Sequence, residues 1–115
     1  MLDITMEFHK GVLFVRLSGI LNRDTSLKLK KEVIDVIKDS GISNIVYNLS
    51  WLKEIDCYGI NTLLESYDVC KNNHGKSLLC GINDTIVKHR ISNSRILNYM
   101  YEASDELSAI NIINL

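Results

Sequence analysis

The chain has no proline. It has three cysteines, Cys57, Cys70 and Cys80, and no two of them form a C-x-x-C pair. The odd number and the missing pairs argue against a disulfide framework, so free thiols in a reducing cytoplasm are expected. Charge of one sign is also lacking: 13 basic and 14 acidic residues leave a net charge of −1. That excludes the broad basic field with which a domain attracts nucleic acid or anionic lipid. No apolar run approaches the ~18 residues of a membrane span, so no membrane insertion is expected. The opening "MLDITMEFHKG" lacks a charged region followed by an apolar stretch, and it is not expected to be a secretory signal.

Signatures of catalysis are missing too. There is no G-x-G-x-x-G, Walker loop, H-E-x-x-H or G-x-S-x-G. His9, His74 and His89 fall on a hairpin, a helix end and a short helix, a spacing that suggests no metal site. Asp56 is the best single carboxylate, yet no second acid or histidine stands beside it, as general acid–base work would need. No cofactor, no metal and no enzymatic activity are expected.

What remains is an ordinary globular composition. The 115 residues are 46% apolar and 23% charged, which suits one domain, 1–115, with its own core. "ITMEF" and "VLFVRLSG" flank a His9-Lys10-Gly11 turn and read as two antiparallel strands. Arg23–Gly41 reads as a helix, with Asp24 or Thr25 as its cap and Gly41 as its stop. Its core face is Ser26, Leu29, Val33, Val36 and Ile37. Leu27 and Ile34 lie to one side of that face, as an edge of the core or as a secondary contact surface. Asn44–Ser50 is a strand, with Trp51–Ile55 as a link and a last pairing near Glu54-Ile55. From Gly59 the residues Ile60, Leu63, Leu64, Tyr67 and Cys70 repeat at helical spacing. Ser77–Ile82 reads as a buried strand, Asn83–Ile91 as a short helix and Ile96–Glu102 as a final strand. Ser104–Leu115 reads as a last helix with Ser104 as N-cap. The order is ββαβαβαβα: an α/β fold with about five strands in a mixed sheet backed by about four helices.

One stretch carries a resemblance. "IVYNLSWLKEIDCYGINTLLESY" is similar to the central signature of the STAS domain, found in anti-sigma factor antagonists and at the cytoplasmic ends of sulfate transporters. Asp56-Cys57-Tyr58-Gly59 stands where that family has Asp-Ser-Ser/Thr-Gly at the entrance to a helix. "LSGILNRDT" is similar to the family's l-G-E-L-D-x-x-T segment, and "HGKSLLCGIN" to its Gly-led strand. The resemblance implies a STAS-like sheet and a non-enzymatic, protein-binding role. Family antagonists bind a kinase-type anti-sigma factor and free a sigma factor. The kinase phosphorylates the hydroxyl after the Asp, and a phosphatase reverses it. A helix N-terminus suits such a switch, because its unpaired N–H groups tolerate a phosphate that a docked partner does not. By this resemblance the partner-binding residues are Asn22, Asp56, Cys57, Tyr58, Gly59 and Asn61.

Several positions depart from the family. Cys57 occupies the phosphoacceptor position, and a thiol is not a substrate for a serine kinase. Tyr58 holds its hydroxyl too far out to replace it. Ile20 and Asn22 replace the acids of G-E-L-D, Asn48 replaces the acid after the strand centre, and Asn61 replaces a small residue. Three readings of Cys57 stand: a small apolar stand-in for serine, a constitutive binder without a phospho-switch, and a redox switch at a helix N-terminus. Tyr58 is either an interface anchor or a ring folded onto its own loop. Two other roles remain open to the sequence. One is a STAS accessory subunit of a lipid-transport ATPase or sensory assembly. The other is a small enzyme using Cys57 with Asp56, which would require His74 or His89 within hydrogen-bond reach of the thiol.

Overall fold

A computed structural model describes residues 1–115. Strand β1 (Leu2–His9) pairs antiparallel with β2 (Val12–Leu21) through the two-residue turn Lys10-Gly11. Both turn residues have positive φ, +51° and +81°, the geometry that matches the twist of a tight hairpin and suits Gly11. Strands β3 (Asn44–Ile55), β4 (Ser77–Cys80) and β5 (Tyr101–Ala103) follow in parallel, giving one sheet in the order β1-β2-β3-β4-β5. Helices supply the crossovers: α1 (Arg23–Leu29) running on through a π turn into α2 (Asp35–Ser40), then α3 (Cys57–Asn72), α4 (Thr85–Asn93) and α5 (Glu106–Ile113). With α1 and α2 taken as one rod, the order is the ββαβαβαβα read from the sequence.

Strand alternation divides the core in two. Leu13, Val15 and Leu17 of β2 and Ile45, Tyr47 and Leu49 of β3 face the larger cluster, where α1–α4 contribute Leu29, Val33, Ile37, Leu63, Cys70 and Val87. The alternate residues Val12, Phe14 and Val46 face the smaller cluster under α5, which contributes Ala109. Inside the larger core the Tyr47 hydroxyl is hydrogen-bonded to Ser66, so its burial leaves no polar atom unpaired.

Several details differ from the sequence reading. First, β3 does not end at Ser50. It runs to Ile55 through two register shifts against β2, each of which gives β3 one extra residue. Such bulges break the two-residue period, so Leu49, Leu52 and Ile55 all reach the larger core at a spacing of three, a pattern that imitates a link. Second, the π turn at Lys30–Ile34 admits an extra residue and rotates the following side chains by about 100°. Val36, expected inside, is exposed. Third, Ile34 is buried at 3% exposure while Leu27 stays 56% exposed, so the two do not share a contact surface. Fourth, the expected strand at Ile96–Glu102 begins as a 3-10 turn, Ile96–Asn98, because Ile96 and Met100 both enter the core four residues apart. Fifth, α5 is capped by Asp105, whose carboxylate accepts from Ser108 N at 2.8 Å. The Ser104 carbonyl instead accepts from Gly81 N, extending the β4–β5 edge.

Candidate functional site at the paired helix N-termini

Strands β2 and β3 are parallel, and their last residues, Leu21 and Ile55, are partners in register. A helix begins one residue after each N-cap, so the N-termini of α1 and α3 lie side by side at the carboxyl ends of the two strands. Asn22 caps α1, in place of the expected Asp24 or Thr25. Its Oδ1 accepts from Asp24 N at 3.0 Å and Thr25 N at 3.1 Å. Thr25 completes a reciprocal box: its Oγ1 accepts from Asn22 N at 2.9 Å and donates to the Ile20 carbonyl at 2.8 Å. Position 22 therefore holds a residue whose side chain is already committed to the fold.

Asp56 joins the two helices. Its Oδ1 accepts from Gly59 N at 2.9 Å, capping α3, and its Oδ2 accepts from Arg23 N at 3.0 Å, the first residue of α1. One carboxylate thus satisfies an orphan donor on each of two helices. Gly59 lets α3 come in close. A Cβ there would lie 2.6 Å from the Leu21 carbonyl oxygen and 2.8 Å from Leu21 Cγ. Asp56 and Gly59 therefore shape the turn, and Gly59 is itself buried.

Between these two residues the turn presents Cys57 and Tyr58 outward. The Cys57 thiol is exposed, whereas Cys70 and Cys80 are enclosed and burial pushes both of their thiols up to about 12. Tyr58 is 52% exposed, so its ring is not folded away. Asn61, one helical turn beyond Cys57, is exposed on the same side.

Helix α4 flanks the turn, a neighbour that local sequence patterns did not reveal. A groove of about 640 Å³ runs between the start of α3 and α4, lined by Cys57, Ile60, Ile86, His89, Arg90 and Asn93 among others. A second depression, about 320 Å³, lies on the Asn22–Asp56 side of the turn and is closed by the same Ile86 and Arg90. Ile86 and Arg90 are four residues apart and so form one ridge. The only sequence signal for it was an isoleucine on the outward face of a short helix, which by itself is common.

No hydrogen bond joins the Cys57 thiol to either histidine. His89 shares the groove with Cys57, but its Nε2 is hydrogen-bonded to Asn93 at 2.9 Å. His74 lies beyond the far end of α3, a 16-residue helix, about 24 Å away along the axis. No group of three His, Cys, Asp or Glu side chains is placed to hold a metal.

Residues 3–109 match the STAS domain. The chain belongs to that family. In sequence it is similar to an anti-sigma F factor antagonist of Paenibacillus polymyxa, with 33% identity over 90 residues, 78% of this chain and 75% of the relative. In fold it is similar to an anti-sigma factor antagonist from Mycobacterium paratuberculosis, with a TM-score of 0.87 and 16% identity over 100% of this chain and 96% of that one. It is likewise similar to the Bacillus cell fate determinant SpoIIAA in its phosphorylated form, with a TM-score of 0.70 and 18% identity over 96% and 99% of the two chains. At such identities the structural likenesses speak for the fold alone.

One departure of this STAS domain acquires a structural meaning. Asn48 lies on the α5 side of the sheet and donates to Glu106 Oε2 at 2.8 Å. Glu106 is also held by Arg16, through Nε and Nη2, both at 2.8 Å. These bonds hold the Glu106 carboxyl below the usual carboxylate range. An acid at position 48 would set a second carboxylate against Glu106, so the amide there serves the docking of α5.

Proposed function

We propose that this STAS domain is a protein-binding regulator of the anti-sigma factor antagonist kind, which binds a kinase-type anti-sigma factor and so releases a sigma factor. The observation that carries this reading is the exposed Cys57-Tyr58 pair at the entrance to α3, braced from behind by Asp56. It is supported by the curated relative named an anti-sigma F factor antagonist. Cys57, Tyr58 and Asn61 supply the contact, while Asn22, Asp56 and Gly59 hold its shape. No helix is long and apolar enough to cross a membrane.

The docking is constitutive with respect to serine phosphorylation, because residue 57 offers a thiol. The test uses the purified anti-sigma factor of the organism of origin. The wild-type domain should bind it, and Tyr58→Ala should weaken binding about tenfold, as truncating an interface aromatic does. With kinase and ATP, intact-mass and fragment analysis should place no phosphate on residue 57 of the wild type, and one phosphate on Cys57→Ser. A phosphate on wild-type Cys57 would refute the constitutive reading. Failure of the wild type to bind any kinase-type anti-sigma factor would remove the function itself.

A further inference from the structure

The groove between α3 and α4 has an uneven chemical make-up. Its lining includes Arg90 and His89 and contains no Asp or Glu. Neither α3 nor α4 carries an acid in its first turn. Arg90 enters no ion pair within the domain, unlike Arg16, which is held by Glu7 and Glu106. Beside it stands Ile86, 62% exposed, with Ile60 at the floor. Arg90 faces no carboxylate on the groove side, and Glu54 and Asp56 line only the second depression that it also borders. A guanidinium without an ion pair, next to an aliphatic side chain left in water, is complementary to a surface that brings a carboxylate and an apolar side chain together.

We propose that the Ile86–Arg90 ridge is a second half of the docking surface, and that it receives a partner-protein segment carrying an Asp or Glu beside an aliphatic residue. This rests on the docking role proposed above and adds the chemistry of what docks. The groove is open and partly apolar, which favours a protein segment over a small anion. Because Ile86 and Arg90 border the depressions on both sides of the turn, a partner seated on Cys57 and Tyr58 meets the ridge without any movement of the domain. The partner's acid would sit at the interface rim, where charge governs encounter rate and partner choice.

Helix α4 supplies its own control. Lys88 is exposed on the same helix but lines a different depression, with Asn83 and Glu102. Binding to the purified anti-sigma factor would be measured for the wild type, Arg90→Glu, Arg90→Gln, Lys88→Glu and Cys57→Arg, with thermal melts of each. Arg90→Glu should weaken binding about tenfold or more, Arg90→Gln about threefold, and Lys88→Glu less than twofold. The melting temperature of Arg90→Gln should stay close to wild type, since Arg90 holds no ion pair within the fold. That of Arg90→Glu should fall by only about 2–4 °C, because Arg90 is the base in the last turn of α4. An acid-to-lysine change at the contacting residue of the anti-sigma factor should restore affinity for Arg90→Glu.

Equal losses for Arg90→Glu and Lys88→Glu would overturn the ridge, because the effect would then be one of overall charge. Weakening by Cys57→Arg with no effect of Arg90→Glu would overturn the ridge and leave docking at the turn intact. No effect of Cys57→Arg, or no binding by the wild type, would overturn both. If inorganic phosphate alone bound the wild type in an Arg90-dependent way while partner affinity stayed unchanged in Arg90→Glu, the groove would be a small-anion site and the proposal would fail.

Discussion

Replacing Asp56 by Ala should destabilise the domain more than the loss of an ordinary helix cap. Asp84, which caps α4, provides the comparison. Its carboxylate accepts from Ile86 N and Val87 N at 2.9 and 3.1 Å, both within one helix. Asp84→Ala should therefore cost a single cap, about 1 kcal/mol. Asp56→Ala loses the cap of α3 and also the bond to Arg23 N, 33 residues away in sequence. A charge-assisted bond at an exposed site contributes about 1–1.5 kcal/mol more, below the range for buried charged bonds, for a total near 2–2.5 kcal/mol. For a chain of 115 residues each kcal/mol moves the melting temperature by about 4 °C, so the two variants should differ by about 4–6 °C. Asp56→Asn keeps one acceptor oxygen and should fall between them.

Urea denaturation followed by circular dichroism gives the free energies, and amide hydrogen exchange locates them. Exchange at Arg23 and Gly59 should accelerate together in Asp56→Ala and remain unchanged in Asp84→Ala. If the two Ala variants lose the same stability within ~0.5 kcal/mol, a difference no larger than an ordinary surface substitution makes, or if Arg23 exchange does not respond, the bridge between α1 and α3 carries no energy. The site would then be a simple helix start.

Two further outcomes follow from the packing and charge. Gly59→Ala should lose about 2–3 kcal/mol, since the new methyl must push against the Leu21 carbonyl rather than a mobile side chain; unchanged stability in urea would refute the close approach of α3. For Glu106, the Arg16 hydrogen bonds depress the folded carboxyl, so its contribution is complete above the unfolded value of about 4.3 and is lost as pH falls through the lower folded value. Glu106→Gln should therefore cost about 1–2 kcal/mol at pH 7 and progressively less below about pH 4; a gap that stays constant between pH 7 and pH 3 would show that the ion pair does not anchor α5.

The elements legible in the sequence were those whose partners are close in the chain. Lys10-Gly11 announced a hairpin, and Ile60, Leu63, Leu64, Tyr67 and Cys70 announced α3, because each pattern is complete within one element. The errors came where tertiary contacts reset the local period. The bulges of β3 place Leu52 and Ile55 in the core, and the π turn after Leu29 exchanges Val36 for Ile34. Caps failed for a related reason. Residue type favours Asp24 or Thr25, but Thr25 acts at the third helical position, leaving Asn22 as the cap. The motif around Asp56 was visible, yet its second hydrogen bond, to Arg23, was not. Nothing local pairs residues 23 and 56 until β2 and β3 align in parallel.

That alignment also explains why the turn can change its chemistry without losing its shape. The groups that hold it are the Asp56 carboxylate, the Asn22 amide and the missing side chain of Gly59, and all three act on backbone. Cys57 contributes no hydrogen-bonding side chain to this frame. A thiol in place of a hydroxyl therefore costs the fold little, while it removes the atom that a serine kinase would modify. Structural constraint falls on the neighbours of residue 57, and chemical freedom falls on residue 57 itself. In the docking proposed above, partner selection is then left to exposed groups outside the frame, Tyr58 and Asn61 on α3 and the Ile86–Arg90 ridge on α4.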